Sequence, residues 1–314
     1  MGTIMVSHVV FIDEGYKQMI KSLYNHIVIH RWDLGFVISS MDEVLGGEKL
    51  QVERVKSRYK NRWFADPFIL SYDEDEIVLL VEDYWDSDCL GRISKLVIDK
   101  HSFEIKDVKV ILQLDSHLSF PAIIRVEGKI YIYPENSKAG GLWLYEYNPQ
   151  TDECKKVKQL SEQPLTDAVI TNLFGKSKVF STKEPNPNKN ILDIYDWNDE
   201  RNSFEHSESV TFNENIARNA GDFFEYKGTV YRPAQECNGM YGHAVSIQKV
   251  ERIDNSYQFT EVRRIMPPKG AFGIHTFNTY NGLTVIDMKV FRHPWIAKPL
   301  FALRNWLSFV IKHK

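Results

Sequence analysis

The amino-acid sequence predicts an all-β fold, a five-bladed β-propeller closed by its own N-terminal strands. The first observation behind this prediction is a β-hairpin pattern that occurs five times. In each copy a polar or small residue leads into an apolar strand, then a tight turn, then a second strand that ends in a polar residue. The turns are centred near Glu74, Gly128, Gly175, Gly228 and Gly282, at intervals of 54, 47, 53 and 54 residues. Glycine at four of the five centres supplies the positive φ that tight hairpins need.

The second observation is a further strand pair, around a charged turn, that follows each of the first four hairpins. Four strands in a period of about 50 residues are typical of a propeller blade. The fifth hairpin has no such pair after it, so we expect the segments HRWDLGFVISS and KLQVERVK near the N-terminus to complete the last blade. A β-sandwich, or two unrelated β-domains, is the alternative interpretation.

The predicted elements follow in order along the chain. Residues 1–29 form an N-terminal extension with a short helix over residues 13–25, whose sequence is DEGYKQMIKSLYN. The propeller occupies residues 30–290, and a basic amphipathic helix occupies residues 291–314.

Composition narrows the function. The net charge of −3 gives no electrostatic case for nucleic-acid binding, whereas an aromatic content of 13% suits both β-strands and stacking on sugars. Cys89, Cys154 and Cys237 form neither a disulfide framework nor a metal-ligand spacing. With no secretory-signal pattern and no apolar run long enough to span a bilayer, we expect a cytoplasmic protein.

Two aspartates share one column of the repeat. Aligned on the turns, Asp66 and Asp167 lie eight residues before their turn centres, where the other copies have Phe120, Ala220 and Ile274. The innermost strands of a propeller line a central channel, so we expect both aspartates to face each other at one mouth. The alternative is that each merely accepts backbone hydrogen bonds at a strand start.

The second strands of the hairpins end in polar residues that we expect near the same mouth. These residues are Glu82, Glu135, Lys183, Gln235 and Asp287. A ring of carboxylates on a rigid scaffold suits glycosyl chemistry, where one activates a nucleophile and others bind hydroxyls or tune a pKa.

Several motifs, by their order and spacing together, carry a family resemblance. FADPF, HLSFPAIIR, IYIYPE, TDAVI, ARNAGDFF, YRPAQ, YGHAV and GIHTF resemble the propeller domain of glucosamine inositolphosphorylceramide transferases. The resemblance covers roughly residues 30–290 and is more distant to arabinanase- and β-xylosidase-type glycoside hydrolases. In those hydrolases an aspartate of the first blade is the general base, and an aspartate of a later blade tunes a pKa and orients the substrate. The resemblance implies these roles for Asp66 and Asp167.

The general acid of those hydrolases does not carry over. The matching strand start reads ARNAG, so Arg218 and Asn219 replace the expected Glu; Glu135 or Glu225 is the substitute that we consider. A sugar alkoxide leaves slowly without an acid, whereas a nucleotide- or lipid-linked phosphate needs positive charge instead, which Arg218 or Arg232 would supply.

The sequence thus favours a glycosyltransferase-like enzyme of cell-surface glycan or glycolipid synthesis, with an Asp base and an Arg-lined phosphate site. The alternatives are an inverting glycoside hydrolase of the arabinanase or xylosidase type and a non-catalytic glycan-binding propeller. We expect Asp66, Asp167 and Glu135 to be catalytic. The predicted substrate-binding residues are Arg218, Asn219, Arg232, Gln235, Tyr241, His275 and Glu82.

Three of these assignments have alternatives. A structural ion pair would equally explain Arg218, and an ordinary turn would explain Tyr241. By resemblance His275 could hold an axial ion, but a hydrogen-bonded core histidine is the simpler interpretation; no other metal site or cofactor is expected. The polar loop over residues 183–190 is placed to overhang the mouth.

The C-terminal segment, residues 292–314, carries basic residues and no acid, with apolar residues at helical spacing and two tryptophans. This pattern predicts either peripheral contact with the inner face of the membrane or a helix docked on the propeller wall. The partners expected are a carbohydrate with a sugar-nucleotide or lipid-linked sugar donor, and no nucleic acid.

Overall fold

The computed structural model describes residues 28–136, 138, 140–254 and 256–312. The predicted helix over residues 13–25 lies outside these residues. The strands are β1 His30–Val37, β2 Val52–Arg54, β3 Arg62–Tyr72, β4 Glu76–Trp85, β5 Leu90–Asp99, β6 Ile105–Leu112, β7 Ser119–Val126, β8 Lys129–Glu135, β9 Leu142–Asn148, β10 Glu153–Ser161, β11 Leu165–Thr171, β12 Lys178–Lys183, β13 Ile191–Asn198, β14 Ser203–Thr211, β15 Phe224–Tyr226, β16 Thr229–Glu236, β17 Ala244–Ile253, β18 Ser256–Ile265, β19 Phe277–Tyr280 and β20 Leu283–Phe291. The helices are α1 Met41–Gly46 and α2 Pro294–Lys312.

These strands form five four-stranded sheets, which confirms the five-bladed propeller. Four sheets run in chain order: β3-β4-β5-β6, β7-β8-β9-β10, β11-β12-β13-β14 and β15-β16-β17-β18. The fifth has the order β19-β20-β1-β2, so the N-terminal strands close the wheel as predicted. The propeller lies in one compact unit, residues 32–289.

The first strands of three sheets begin with a β-bulge, which explains the aspartate column. The register of β3, β7 and β11 shifts at this point, and the bulged residues Asp66, Phe120 and Asp167 have φ of 47°, 46° and 46°. Asp tolerates the left-handed region because its short side chain bonds locally, whereas Phe pays roughly 1–2 kcal/mol there. The bulge aims each of these side chains away from the regular alternation of the strand.

The apolar core lies between neighbouring sheets. Phe68 of β3 and Phe120 of β7, for example, pack edge to face with ring centroids 4.9 Å apart, and both are buried. The first strands of the last two sheets, β15 and β19, are short, so the segments before them reach the channel mouth as loops.

The predicted C-terminal helix is confirmed as α2, in the second compact unit that includes residues 290–312. Within it Ala297 is buried, whereas Trp295 and Trp306 are 92% and 61% exposed. None of the helices described here is both long and apolar enough to cross a membrane.

Candidate active site

Asp66 is the centre of the first half of the site. Its side chain is buried, and its Oδ2 accepts a hydrogen bond of 3.1 Å from the backbone N–H of Phe120. Its Oδ1 accepts a 3.0 Å bond from the Thr276 hydroxyl and lies 3.6 Å from Nε2 of His275. Asp66 therefore joins the first sheet to the second and the fifth.

Burial raises the pKa of Asp66 to about 7. The positive charge of His275 opposes this rise, whereas the carboxylates of Asp167, Glu82 and Asp287 add to it. A carboxyl group that titrates near neutral pH is suited to general-base catalysis, because it is ionised at the working pH yet basic enough to take a proton.

Asp287, at the end of the fifth hairpin, holds the other side of this cluster. Its Oδ2 lies 2.6 Å from Nδ1 of His275 and accepts from the backbone N–H of Asp66, while its Oδ1 accepts from the N–H groups of His275 and Thr276. Burial alone would raise its pKa, but the His275 charge and these hydrogen bonds lower it.

His275 lies between two acids, whose charges favour its protonated form. Burial would lower its pKa, but the carboxylates of Asp287 and Asp66 outweigh burial and raise it. The Trp32 ring stacks on the imidazole at 3.7 Å between centroids, with planes 10° apart.

The groups of Asp66, His275 and Asp287 lie close enough, within 4.8 Å of one another, to hold a cation. Asp287 nevertheless directs its oxygens to protein donors, and its Oδ2 is bonded to the imidazole Nδ1. Both oxygens of Asp287 and Nδ1 of His275 thus have protein partners, and the sequence-based suggestion of an axial ion stays a prediction.

Asp167 forms the second half of the site with Arg218. Arg218 donates through Nε to Oδ2 of Asp167 at 2.6 Å and through Nη2 to Oδ1 at 3.3 Å, and its Nη1 donates to Asn188 at 2.8 Å. Asn188 belongs to the polar loop predicted near the mouth, so that loop reaches the site. The pKa of Arg218 is raised well above its usual value; burial would lower it, but Asp167, Tyr241 and Glu135 outweigh burial.

Glu135 completes this half of the site, and its side chain is 16% exposed. Its Oε2 accepts from the backbone N–H of Asp167 at 3.0 Å and lies 3.7 Å from Nη2 of Arg218. Desolvation and the Asp167 charge raise its pKa well above the usual value, although Arg218 opposes them. Glu225, the other predicted substitute acid, is exposed on β15.

Gln235 and Asn219 are positioned by the same aspartate. Gln235 Nε2 donates to Asp167 Oδ2 at 2.6 Å and to the Asn219 carbonyl at 2.9 Å. Asn219 Nδ2 donates to the carbonyls of Asp167 and Phe180, both at 2.7 Å. The Oε1 atom of Gln235 is buried without a partner in the structure, which leaves it as an acceptor for a ligand hydroxyl.

Arg232 is fully buried behind Asn219. Its guanidinium donates to Asn219 Oδ1 at 2.8 Å, to Gln248 Oε1 at 2.7 Å and to the carbonyls of Ile216 and Ala217. Burial lowers its pKa to about 9. A direct contact with substrate would require these bonds to be exchanged, so the geometry gives Arg232 a positioning role.

Tyr241 connects the two halves. Its ring lies 5.2 Å from the His275 ring and 5.1 Å from the Arg218 guanidinium carbon. Burial raises its pKa well above the usual value; Arg218 opposes this, and Asp66 and Asp167 reinforce it. Both aspartates therefore act on one phenol, as expected if they share one end of the channel.

Glu82 pairs with a histidine that sequence reasoning had not assigned to the site. Oε1 of Glu82 lies 3.2 Å from Nε2 of His117, whose pKa is raised because Glu82 and Asp66 outweigh burial. Beside this pair Trp63 and Tyr84 stack at 4.5 Å. Sequence reasoning also left out Trp32, Thr276 and Lys289, which the repeat pattern does not single out. Lys183 pairs with Asp193 at 2.9 Å instead of joining the cluster.

The chain is similar to glucosamine inositolphosphorylceramide transferase 1 of two plants. It is 28% identical to the protein of Oryza sativa subsp. japonica over 202 residues, which are 62% of this chain and 27% of the relative. It is 27% identical to the Arabidopsis thaliana protein over 214 residues, 64% of this chain and 27% of the relative. The match thus spans about a quarter of these relatives' length.

Solved structures share the fold. A GH43 β-xylosidase/α-arabinofuranosidase from a compost microbial metagenome, in complex with xylotriose, superposes with a TM-score of 0.53 at 14% identity over 76% of this chain and 93% of that one. An α-L-arabinofuranosidase from Podospora anserina, in complex with cellotriose, gives 0.52 at 10% identity over 71% and 80%.

A family model provides the assignment. It matches residues 51–297, which contain four whole sheets and three strands of the fifth, namely β19, β20 and β2. Because this match covers well over half of the sequence, the chain belongs to the family described as glucosamine inositolphosphorylceramide transferase 1, N-terminal.

Proposed function

We propose that this propeller is a carbohydrate-active enzyme that transfers a sugar in cell-surface glycan or glycolipid synthesis, with Asp66 as the general base. The observation that carries the proposal is the fixed Asp66 carboxyl, held by Phe120 and Thr276 beside the His275 imidazolium. The transferase names of the plant relatives support transfer over hydrolysis.

In this mechanism Asp66 removes the proton of an acceptor hydroxyl as its oxygen attacks the anomeric carbon. The bond from that carbon to the leaving phosphate breaks, and the phosphate keeps the electron pair. His275 stabilises the ionised form of Asp66 before the reaction, and Asp287 fixes the imidazole. Gln235 offers its free Oε1 to a sugar hydroxyl.

Arg218 is the cation nearest to Asp167 and supports the leaving group in this proposal. Two of its five N–H groups bind Asp167 and a third binds Asn188, so two remain for a ligand oxygen. Its side chain is 12% exposed, so it is not fully enclosed by the protein.

A second candidate is an inverting glycoside hydrolase, and Glu135 specifically favours it. This residue lies beside Asp167, and desolvation and the Asp167 charge raise its pKa, as a general acid requires, although no acid stands at the strand start where the resemblance requires one. In an inverting hydrolase it would protonate the leaving oxygen while Asp66 activates water.

The test compares wild type with Asp66→Asn on a panel of nucleotide sugars and free glycans. We expect ligand affinity within about threefold of wild type and turnover lower by about 10²–10⁴, the usual contribution of a general base. Transfer from a nucleotide sugar that weakens on Arg218→Ala supports the first candidate. Release of a monosaccharide from a glycan without any donor supports the second, and binding with no turnover in wild type would leave only a glycan-binding propeller.

We also propose that α2 contacts a membrane surface. Trp295, Ile296, Leu303 and Trp306 are exposed and fall within about 100° of one another around the helix axis, on a different side from buried Ala297. Exposed tryptophans with basic neighbours and no acid are typical of interfacial helices. A lipid-linked substrate would place such an enzyme on the inner face of the membrane.

A further inference from the structure

Lys289 is a cation at the site for which the described residues provide no acidic partner. It lies on β20 two residues after Asp287, so both side chains leave the same face of the strand. Its Nζ lies 5.4 Å from the Trp32 ring, 5.6 Å from the Tyr241 ring and 5.9 Å from the Phe272 ring. Within the part of the chain that the structure describes, it forms no ion pair with a carboxylate.

Arg218, another cation of the site, is already paired with an acid: it is neutralised by Asp167, and both residues are held by neighbours. Lys289 instead has three aromatic rings and the Cys237 thiol near its charge, and its half-buried position makes an uncompensated ammonium costly. Burial accordingly lowers its pKa. A cation–π contact offsets part of this cost, and an anion would offset more.

The aromatic surroundings also connect Lys289 to the proposed reaction centre. Tyr241 contacts Lys289, Arg218 and His275 with the same ring, and Trp32 contacts both Lys289 and His275. An anionic group held at Lys289 would therefore belong to a ligand whose other groups reach His275 and Asp66.

We propose that Lys289, framed by Trp32 and Tyr241, forms a subsite for an anionic group of the saccharide ligand, a phosphate or a carboxylate. This inference rests on the proposed function, since it assigns the substrate class of the same pocket. Trp32 and Tyr241 supply the walls that orient the sugar, and Lys289 supplies the charge that distinguishes an acidic sugar from a neutral one.

The experiment is calorimetric titration with inorganic phosphate, glucose 1-phosphate, glucuronate and glucose. We expect wild type to bind at least one of the anionic probes more tightly than glucose. A charge-assisted hydrogen bond contributes enough that Lys289→Gln should weaken that probe by about tenfold to a hundredfold, with glucose unchanged. Lys289→Arg should stay within about threefold of wild type because it keeps the charge. Comparison of the phosphate probes with glucuronate shows whether the anionic group is a phosphate or a carboxylate.

The matched control is Lys156→Gln. Lys156 also lies over a tryptophan, with Nζ 3.3 Å from the Trp143 ring, but on the outer strand β10. This control should bind every probe as wild type does. Three outcomes would each overturn the subsite. Lys289→Gln could weaken glucose and the anion equally, or it could affect neither. Wild type could also show no preference for any anionic probe.

The failure of this inference is distinguishable from failure of the proposed reaction. Asp66→Asn should retain the anion preference while it loses turnover. Full turnover in Asp66→Asn would reject the general base and leave the subsite intact, whereas an inactive Asp66→Asn with an unaffected Lys289→Gln would reject only the subsite.

Discussion

Asp66, His275 and Asp287 form one buried cluster in which the charge of each side chain shifts the pKa of the others. Asp287 is bonded on both oxygens and its pKa is lowered, whereas Asp66 accepts fewer bonds and its pKa is raised to about 7. The imidazolium of His275 lies between them. Two carboxyl groups of the same chemistry thereby acquire different roles, one as a fixed anion and one as a group that gains and loses a proton.

This balance predicts a pH-dependent stability. The pKa of Asp66 is about 7 in the folded state and near 3.8 in an unfolded chain, so between these values the folded state binds more protons. The contribution of Asp66 to the free energy of unfolding therefore falls as the pH rises from about 4 to above 7. Because Asn does not ionise, Asp66→Asn should be more stable than wild type by roughly 1–3 kcal/mol at pH 8, and this advantage should shrink towards pH 4.

Urea denaturation at about pH 4, 6 and 8 measures the difference between the two proteins. Glu225→Gln, at an exposed glutamate on β15, is the control and should show little pH-dependent difference. A difference between Asp66→Asn and wild type that does not change with pH would show that Asp66 titrates normally.

The sequence could predict which residues share a column, but not how their charges pair. The eight-residue offset from each turn places Asp66 and Asp167 in one column, and both lie at a β-bulge of the first strand of their sheet. The pairing of Arg218 with Asp167 and the position of Lys289 among aromatic rings depend on side-chain directions across separate sheets, which periodicity does not encode. His117 was present in the motif HLSFPAIIR, yet its contact with Glu82 comes from a loop whose path the repeat does not define.

At the scale of elements, the loop between β16 and β17 positions Tyr241 through a close backbone approach. Gly242 has a φ of 65°, and a Cβ there would lie 2.8 Å from Cη2 of Trp32 and 3.1 Å from Cβ of His275. Its carbonyl accepts from the backbone N–H of Ile274. The loop, described from sequence only as a turn or a substrate contact, is thus packed directly on the site.

We predict that Gly242→Ala disrupts the site as well as the backbone. The positive φ should cost about 1 kcal/mol and the collision with Trp32 about 1–3 kcal/mol more. Gly228→Ala is the matched control, because its φ is 75° and no atom lies within 4 Å of the added Cβ. Denaturation should show the larger loss for Gly242→Ala, with weaker ligand binding only there; equal losses would mean that Trp32 moves aside freely.

The short helix α1 shows what local signals could have added. Ser40 and Glu43 form a capping box, and Gly47 ends the helix with a φ of 94°. The pattern S-x-x-E is readable from sequence, but a helix of six residues lies below the length at which apolar periodicity is detectable.

The exposed face of α2 predicts binding to anionic vesicles. Trp295→Ala with Trp306→Ala should reduce the bound fraction about tenfold or more, because two interfacial aromatic anchors are lost. Met266→Ala, which removes an exposed apolar side chain from the propeller, should leave it unchanged. Co-sedimentation with vesicles of phosphatidylserine and phosphatidylcholine measures both, and equal binding by the double variant and wild type would contradict a membrane role for this face.

For the whole molecule, the interval between repeats was the main basis for predicting a five-bladed propeller. Five hairpins with four following strand pairs require one blade to be completed from elsewhere, and the order β19-β20-β1-β2 meets that requirement. The closure also creates the site, because Trp32 of β1 stacks on His275 just before β19. Residues far apart in the chain meet here only because the wheel is closed.

Closure predicts that a defect in β1 destabilises the entire propeller. Gly35 lies where an added Cβ would be 2.6 Å from Cγ1 of Val52 and 2.8 Å from Cε of buried Met288. Gly35→Val should therefore force β1 away from β20 and β2, at a cost of about 1–3 kcal/mol. Gly46→Ala, at a position with no atom within 4 Å of the added Cβ, is the control and should change stability by less than about 0.5 kcal/mol.

The form of the transition is as informative as its midpoint. If the closing sheet is part of one cooperative unit, Gly35→Val should shift a single denaturation transition, with far-UV circular dichroism and tryptophan fluorescence changing together. Ligand binding should fall in parallel, since Trp32 lies three residues before the substitution. Two separated transitions, with the site lost first, would instead show that the fifth sheet opens on its own while the other four remain folded, and closure would then govern the site without governing the fold.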